Sequence, residues 1–250
     1  MYIIDDGIRL AADLDLPEGL EKCPSGEGGS RMRLYNWDGK KIPLCIIIHG
    51  FTGWRGERHI VAVSRAMNEL GMATLRVDMY GHGESGGKFE DHNLFKWMNN
   101  AMAVIDYARS LEFVGDIYLC GHSQGGLVTI LAGALKQDML KGIIPLSPAT
   151  MIPELARKGW FFGMTMPPGE VPEFVNINGK GLRLSGNYAR AARTIHVEEA
   201  MEQFKKLKKD SQITEDDQRK AEDELQKLTD NQIKEIDKIA AEKEKEIMEV

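Results

Sequence analysis

The sequence predicts an α/β fold in which helices cover both faces of a mostly parallel β-sheet. Apolar runs of strand length alternate with amphipathic segments of helical spacing between residues 43 and 146. Several of these runs are continuously apolar, which is typical of strands buried on both faces. Glycine-rich turns follow the runs at the points where strands of a parallel sheet give way to helices.

The N-terminal part predicts strands on either side of a loop. Polar and apolar residues alternate from Ile8 to Leu16, which is strand periodicity, and Asp6-Gly7 before it favours a hairpin turn. Gly19 to Ser30 is rich in glycine and charge and predicts a loop, and Arg31 to Trp37 predicts a further strand. The continuous apolar run from Pro43 to Ile48 predicts a central strand.

The middle of the chain alternates regularly between the two kinds of element. Glu57 to Leu70 and Leu94 to Leu111 have apolar residues at helical spacing and predict amphipathic helices. Met72 to Val77, Ile117 to Cys120 and Gly142 to Leu146 are short apolar runs and predict buried strands.

The hexapeptide Gly121-His122-Ser123-Gln124-Gly125-Gly126 stands between a predicted strand and a helix predicted over Leu127 to Leu135. A Gly-x-Ser-x-Gly turn in this context lifts its serine into an exposed, strained position at a helix N-terminus. Gly121 and Gly125 are required because a Cβ at either position would clash in so tight a turn. Ser123 is therefore a candidate nucleophile, and the backbone N–H of Gln124 a candidate oxyanion donor. The alternative is a glycine-rich turn that presents an ordinary serine to solvent.

A second loop of the same kind follows the predicted central strand. His49-Gly50-Phe51-Thr52-Gly53 lies where such folds place another oxyanion donor, here the backbone N–H of Phe51. The alternative is a turn that contains a structural histidine.

Composition narrows the class of protein. The formal net charge of −6 gives no reason to expect a nucleic-acid partner, and no apolar run approaches the ~20 residues needed to cross a bilayer. The N-terminus lacks the pattern of a signal peptide. The three cysteines show no metal-ligand spacing, so we expect reduced thiols, a cytoplasmic protein, no metal and no cofactor.

Residues 1–199 resemble an α/β-hydrolase of the serine esterase kind, most closely the cinnamoyl or feruloyl esterase group. The resemblance rests on these stretches: Ile46 to Gly53, Asp78 to Gly83, Gly87 to His92, Gly121 to Gly126 and Pro145 to Ala149. It implies that Ser123 is the nucleophile and that Phe51 and Gln124 donate to the oxyanion. It also implies a small-molecule ester as substrate, with hydroxycinnamate esters as candidates.

The same resemblance implies that residues 150–195 form an insertion, or lid, over the acyl pocket. Trp160, Phe161, Phe162 and Tyr188 are its candidate substrate-binding residues. The alternative is that these aromatic side chains only attach the insertion to the rest of the domain.

The chain departs from the esterase pattern after Glu199. The family has two further strands, one that ends in an acid and one that precedes the catalytic histidine, and the triad runs serine, acid, histidine along the chain. Residues 200–250 supply neither strand, and the last histidine, His196, matches no triad position. We therefore expect an α/β-hydrolase-type sheet that lacks its last strands and an ester hydrolase of impaired activity.

Residues 200–250 predict a different structure. They contain no Gly, Pro, Cys or Trp, and apolar residues recur at helical spacing after Thr214 and Asp217, which resemble a capping box. The pattern predicts a helix of roughly 35 residues, or a helical hairpin. The stretches Phe204 to Asp217, Gln226 to Asp230 and Lys243 to Val250 resemble the C-terminal end of a bacterial ribosome recycling factor.

Two hypotheses about function follow. The first is an ester hydrolase with an acyl-enzyme intermediate. The second is a non-catalytic fusion whose C-terminal helices form a translation-related or oligomerisation module. An exposed edge at the strand Gly142 to Leu146, or the C-terminal helix, is expected to favour homo-oligomers.

Overall fold

The computed structural model describes residues 1–20, 39–161, 164–165, 170–177, 181–200 and 202. The chain divides into two units, Met1–Glu202 and Gln203–Val250, and the second lies outside the described residues. The strand predicted over Arg31 to Trp37, the helix predicted after Thr214 and the side chain of Phe162 also lie outside them.

Six strands of the first unit form one sheet in the spatial order β1-β2-β4-β3-β5-β6. Their bounds are β1 Tyr2–Asp5, β2 Ile8–Asp15, β3 Ile42–Ile48, β4 Ala73–Val77, β5 Val114–His122 and β6 Gly142–Leu146. The pairs β3–β4, β3–β5 and β5–β6 are parallel. β1–β2 and β2–β4 are antiparallel, so the sheet is mixed but mostly parallel, as the sequence predicted.

Three helices cover this sheet: α1 Arg58–Glu69, α2 Leu94–Ser110 and α3 Gln124–Leu135. β3 forms the centre of the core, and its residues from Leu44 to Ile48 are buried. All residues of α3 except its last are buried, whereas α1 buries a single stripe. The continuously apolar runs are therefore the buried strands, and the amphipathic segments are helices with one wet face.

The region after β6 contains shorter elements. These are the helices α4 Met151–Arg157 and α5 Asn187–Arg193, and the strands β7 Trp160–Phe161, β8 Met164–Thr165, β9 Phe174–Ile177 and β10 Leu182–Ser185. β7 pairs with β8 and β9 with β10, both in antiparallel two-stranded sheets. No helix in the described ranges is long and apolar enough to cross a membrane.

Between residues 43 and 146, the predicted strands and helices agree with the observed ones, with shifts at their ends. β5 extends beyond the predicted Ile117 to Cys120 at both ends, and α3 begins at Gln124 rather than Leu127. The prediction missed these ends because glycines at positions 115, 121, 125 and 126 carry little strand or helix propensity. Within the described residues β6 pairs only with β5, so it is an edge of the sheet as predicted.

Candidate active site

Ser123 lies at the junction between the end of β5 and the start of α3. Its backbone angles are φ 54° and ψ −114°, a conformation that a residue with a Cβ rarely adopts. Its N–H donates to the carbonyl of Leu146 at 3.0 Å, and its carbonyl accepts from Ala149 at 2.9 Å. These bonds attach the strained turn to the end of β6. The Ser123 side chain makes no capping hydrogen bond to α3, so its hydroxyl is not used to close the helix.

The glycines around Ser123 allow the backbone to approach other segments closely. A Cβ at Gly121 would lie 2.2 Å from the carbonyl oxygen of Gly125. A Cβ at Gly125 would lie 2.4 Å from the carbonyl oxygen of His49. Since both neighbours are backbone atoms, neither can move aside, and the turn requires glycine at the two positions that the sequence indicated.

The loop after β3 lies directly beside this turn. A Cβ at Gly50 would lie 3.3 Å from the Cβ of Ser123 and 3.1 Å from Nδ1 of His122. The loop turns back on itself through a hydrogen bond from the Gly53 N–H to the Gly50 carbonyl at 3.0 Å. Phe51 is the residue that directly follows Gly50, the point at which this loop approaches Ser123.

A buried ion pair holds the next part of this loop. The Arg55 N–H donates to Asp78 Oδ1 at 2.6 Å, and the Arg55 guanidinium pairs with the other oxygen of the same carboxylate. Asp78 is fully buried, and it also accepts from the Glu84 N–H at 2.9 Å. The guanidinium also donates hydrogen bonds to the carboxylates of Glu84 and Asp13. One carboxylate thus joins the loop after β3 to the loop after β4.

Three buried histidines lie beneath these loops: His49, His82 and His92. The ring centroids of His49 and His82 are 5.3 Å apart, and those of His82 and His92 are 4.8 Å apart. Each Nδ1 faces a backbone carbonyl oxygen, at 2.8 Å from Gly50, 2.9 Å from Tyr80 and 2.6 Å from Phe89. Because a carbonyl can only accept, each Nδ1 carries the proton and each Nε2 has the lone pair.

These rings are held in the neutral state. Burial, assisted by the neighbouring His82, lowers the pKa of His49 and that of His92 to about 3. His59 further lowers the pKa of His49, and Lys96 that of His92. Burial also lowers the pKa of His82 despite the nearby charge of Asp78. The Met79 N–H donates to His49 Nε2 at 3.0 Å, whereas Nε2 of His82 and of His92 has no hydrogen-bond partner among the described residues.

Tyr188 links the region after β6 to the turn at Ser123. It lies on α5, and its hydroxyl donates to Gln124 Oε1 at 2.5 Å. Both side chains are fully buried, and burial raises the pKa of Tyr188. The Tyr188 ring also meets the rings of Phe51 and His92 edge to face.

The other residues singled out from the sequence lie in different surroundings. Trp160 lies in β7 and exposes 45% of its surface. Phe161 is the second residue of that strand. His196, the last histidine of the chain, is exposed. No group of three His, Cys, Asp or Glu side chains in the described ranges is placed to hold a metal ion.

Two features of this region were not predicted as parts of it. The Arg55–Asp78 ion pair was not predicted because Arg55 belongs to no recognised motif. Asp78, by contrast, begins one of the stretches on which the resemblance rests. The Tyr188–Gln124 hydrogen bond joins residues 64 positions apart, so no local pattern signals it. The sequence named both residues, but it did not place them in contact.

Comparison with known proteins agrees with this architecture. A family model described as "Serine aminopeptidase, S33" matches residues 39–240. The structure of Est1E from Butyrivibrio proteoclasticus with ferulic acid bound has 52% sequence identity and a TM-score of 0.71, over 80% of this chain and 73% of that one. The alpha/beta hydrolase GrgF from Penicillium sp. sh18, at 17% identity and a TM-score of 0.55, shares the fold, over 79% of this chain and 73% of that one.

A second set of relatives consists of ribosome-recycling factors. That of Cupriavidus necator is 34% identical over 158 residues, which cover 58% of this chain and 77% of the relative. That of Symbiobacterium thermophilum is 60% identical over 52 residues, 21% of this chain and 28% of the relative. The longer match covers more than half of the chain, so it must include residues of the first unit. The higher identity of the shorter match indicates that the similarity is concentrated in a short segment.

Proposed function

We propose that this chain, which belongs to the serine aminopeptidase S33 family and in its C-terminal part to the ribosome-recycling factors, hydrolyses carboxylic esters through Ser123. The observation that carries the proposal is the strained backbone of Ser123 between β5 and α3. A strained, glycine-flanked serine at a helix N-terminus is the arrangement that presents a nucleophile to an acyl group.

In the proposed reaction, Ser123 Oγ attacks the ester carbonyl carbon. The Oγ–C bond forms, the alcohol leaves with a proton, and an acyl-enzyme remains. Water then breaks the acyl bond, which releases the carboxylic acid and restores the serine hydroxyl. The backbone N–H groups of Phe51 and Gln124 are the proposed donors to the carbonyl oxygen as it becomes negative. The close approach of Gly50 to Ser123 supports this role for Phe51.

The serine's proton has no dedicated acceptor in this proposal. His49, His82 and His92 are buried, with Nδ1 bonded to a carbonyl. The triad order requires a histidine after the serine, and of the six histidines only His196 follows Ser123; it is exposed and matches no triad position. The sequence of residues 200–250 contains no histidine and no apolar run of the kind that the family's acid-bearing strand requires. We therefore propose that solvent accepts the proton and that turnover by this 250-residue chain is impaired.

Hydroxycinnamate esters are the proposed substrates. Ferulic acid is bound in the Est1E structure, and Est1E is 52% identical in sequence to this chain. Trp160, Phe161, Phe162 and Tyr188 remain the candidates for the acyl pocket. The exposed ring of Trp160 is compatible with contact to a substrate, whereas the buried Tyr188 is better placed to fix the insertion from within.

A covalent serine probe tests the proposal directly. The full chain is incubated with a fluorophosphonate and its intact mass is followed over time. We expect a slow increase by one phosphonyl group, and no increase in Ser123→Ala. The matched control is Ser110→Ala, which should label like the parent. The Ser110 hydroxyl only donates a hydrogen bond to the Tyr107 carbonyl at the end of α2. Absence of label at Ser123 after extended incubation would contradict the proposal.

The ribosome-recycling relatives favour a second candidate function. In that case the C-terminal part is a translation-related or oligomerisation module, and the first unit is a non-catalytic partner in a fusion. The full chain carrying Ser123→Ala separates the two, because it removes the hydrolase activity and leaves residues 200–250 unchanged. Co-sedimentation of this variant with ribosomes would support a translation-related module, and a variant that does not sediment would contradict it.

A further inference from the structure

The side-chain amide of Gln124 is held from outside its own helix. Tyr188 Oη lies 2.5 Å from Gln124 Oε1 and donates to it, and both residues are fully buried. The other end of the amide, Nε2, has no hydrogen-bond partner among the described residues. The position of this amide depends strongly on its remaining hydrogen bond. If that bond were lost, the buried carbonyl oxygen would also have no partner, and its desolvation would destabilise the fold.

The same tyrosine touches the second proposed oxyanion residue. Its ring centroid lies 6.2 Å from that of Phe51 in an edge-to-face arrangement, and 5.3 Å from that of His92. Phe51 and His92 are themselves in ring contact at 5.4 Å. Tyr188 is therefore in direct contact with Gln124, the first residue of α3, and with Phe51 of the loop after β3.

We propose that Tyr188 is a positioning residue for the oxyanion site, and this inference rests on the proposed function. The tyrosine does not touch the reacting atoms in this proposal. Its hydroxyl fixes the side chain of Gln124, and so the orientation of the backbone N–H at the first position of α3. Its ring fixes Phe51 through the edge-to-face contact. The region after β6 thereby controls the reaction of Ser123 through α5, in addition to any contact that the region makes with substrate.

Tyr188→Phe isolates the hydroxyl from the ring. Phenylalanine keeps the ring that contacts Phe51 and His92 and removes the hydroxyl that donates to Gln124. Deleting an oxyanion donor costs roughly 10²–10³ in rate, so a donor that is retained but loosely held should cost less. We expect the limiting rate of Ser123 phosphonylation to fall about tenfold, with the probe concentration at half-maximal rate unchanged.

A double-mutant cycle tests whether the effect travels through Gln124. Gln124→Leu removes the acceptor and keeps the backbone N–H, and the pair Tyr188→Phe/Gln124→Leu removes both partners. If the hydrogen bond carries the effect, the double variant labels no more slowly than Gln124→Leu alone. Tyr107→Phe is the matched control, because its hydroxyl faces Met1 on an exposed part of α2. It should label at the rate of the parent.

The possible outcomes are distinct. If the parent chain labels at Ser123 but Tyr188→Phe labels equally fast, the positioning role is wrong and the proposed function stands. The positioning role would also be wrong if the losses of rate in the two single variants added in the double variant. Tyr188 would then act by a route other than Gln124. If the parent does not label at Ser123, the proposed function fails and the positioning role fails with it. Should Tyr188→Phe not fold, Gln124→Leu alone decides, with a lower labelling rate expected and an unchanged one contradictory.

Discussion

The Asp78 carboxylate receives both the backbone N–H and the guanidinium of Arg55, and it is fully buried while doing so. Asp78 follows β4, whereas Arg55 belongs to the loop after β3 that passes beside Ser123. The Ser85 hydroxyl donates to the Asp78 carbonyl at 2.6 Å, so the loop after β4 folds around the same residue. The ion pair consequently fixes the two loops that follow the carboxyl ends of the parallel strands β3 and β4.

Arg55→Met should destabilise the protein strongly. The methionine fills much of the space of the arginine stem but leaves a fully buried carboxylate without its cation. Removing one partner of a buried pair costs about 3–5 kcal/mol, because the remaining charge is uncompensated. The measurement is the free energy of unfolding from urea titration followed by circular dichroism.

Arg183→Met is the control for this substitution. Arg183 pairs with Glu90 on the surface at 2.7 Å and is about half exposed. A surface pair contributes only about 0–1 kcal/mol, so the control should unfold close to the parent. Equal losses in the two variants would show that burial of Asp78 does not govern the cost.

Gly121→Ala should prevent the turn at Ser123 from forming. The added Cβ would lie 2.2 Å from the Gly125 carbonyl oxygen, which belongs to the backbone of α3. Overpacking typically costs about 1–3 kcal/mol, and we expect the upper end of this range because the opposing atom belongs to the backbone. The substitution should also abolish labelling of Ser123 by a fluorophosphonate. Gly142→Ala is the matched control, because its Cβ would meet only the Tyr118 ring at 3.3 Å. Normal labelling of Gly121→Ala would contradict the geometry described here.

Much of this arrangement could be predicted from the sequence because it is local. The strand, the Gly-x-Ser-x-Gly turn and the helix follow one another along the chain, so periodicity and glycine placement indicated the order correctly. The predicted start of α3 at Leu127 was wrong by three residues. Gly125 and Gly126 weaken the helical pattern, although both are helical in the structure. Glycine is required at position 125 because a Cβ there would lie 2.4 Å from the His49 carbonyl oxygen.

The side-chain network could not be predicted for the opposite reason. Arg55 meets Asp78 from 23 residues away, and Tyr188 meets Gln124 from 64 residues away. Such contacts depend on how loops and helices pack in three dimensions, which no single sequence pattern encodes. Tyr188 illustrates this, since the sequence left open whether it binds substrate or attaches the insertion, and the structure buries it against Gln124.

The buried histidines predict a loss of stability in mild acid. The pKa of His49 and of His92 is about 3 in the folded protein, against an ordinary value of 6.5 that applies after unfolding. Above about pH 6.5 their contribution is fully present. As the pH falls from 6.5 towards 3, the unfolded chain takes up protons that the folded protein cannot, so stability decreases. Between pH 8 and pH 5 each ring should cost about 2 kcal/mol, or about 4 kcal/mol together.

Unfolding free energies at pH 8, 6 and 5 measure this effect in a range above the titration of ordinary carboxylates. His92→Phe removes one buried ring from the titration and suits the aromatic neighbours of that site, so its decrease from pH 8 to 5 should be about 2 kcal/mol smaller than that of the parent. His196→Ala changes an exposed histidine and should show the full decrease. A stability that does not vary between pH 8 and 5 would mean that the buried rings take up protons while folded.

Ester turnover should be weak and should lack the signature of a histidine base. A serine hydroxyl is a poor nucleophile at neutral pH without an adjacent base, and serine hydrolases that lose a triad member keep roughly 10³–10⁴-fold acceleration over water. We expect this level with p-nitrophenyl or hydroxycinnamate esters, without a rate inflection near pH 6.5. His196→Ala should leave the rate unchanged, and Ser123→Ala should abolish it. Fast turnover that disappears in His196→Ala would instead show that the exposed histidine reaches Ser123 and serves as its base.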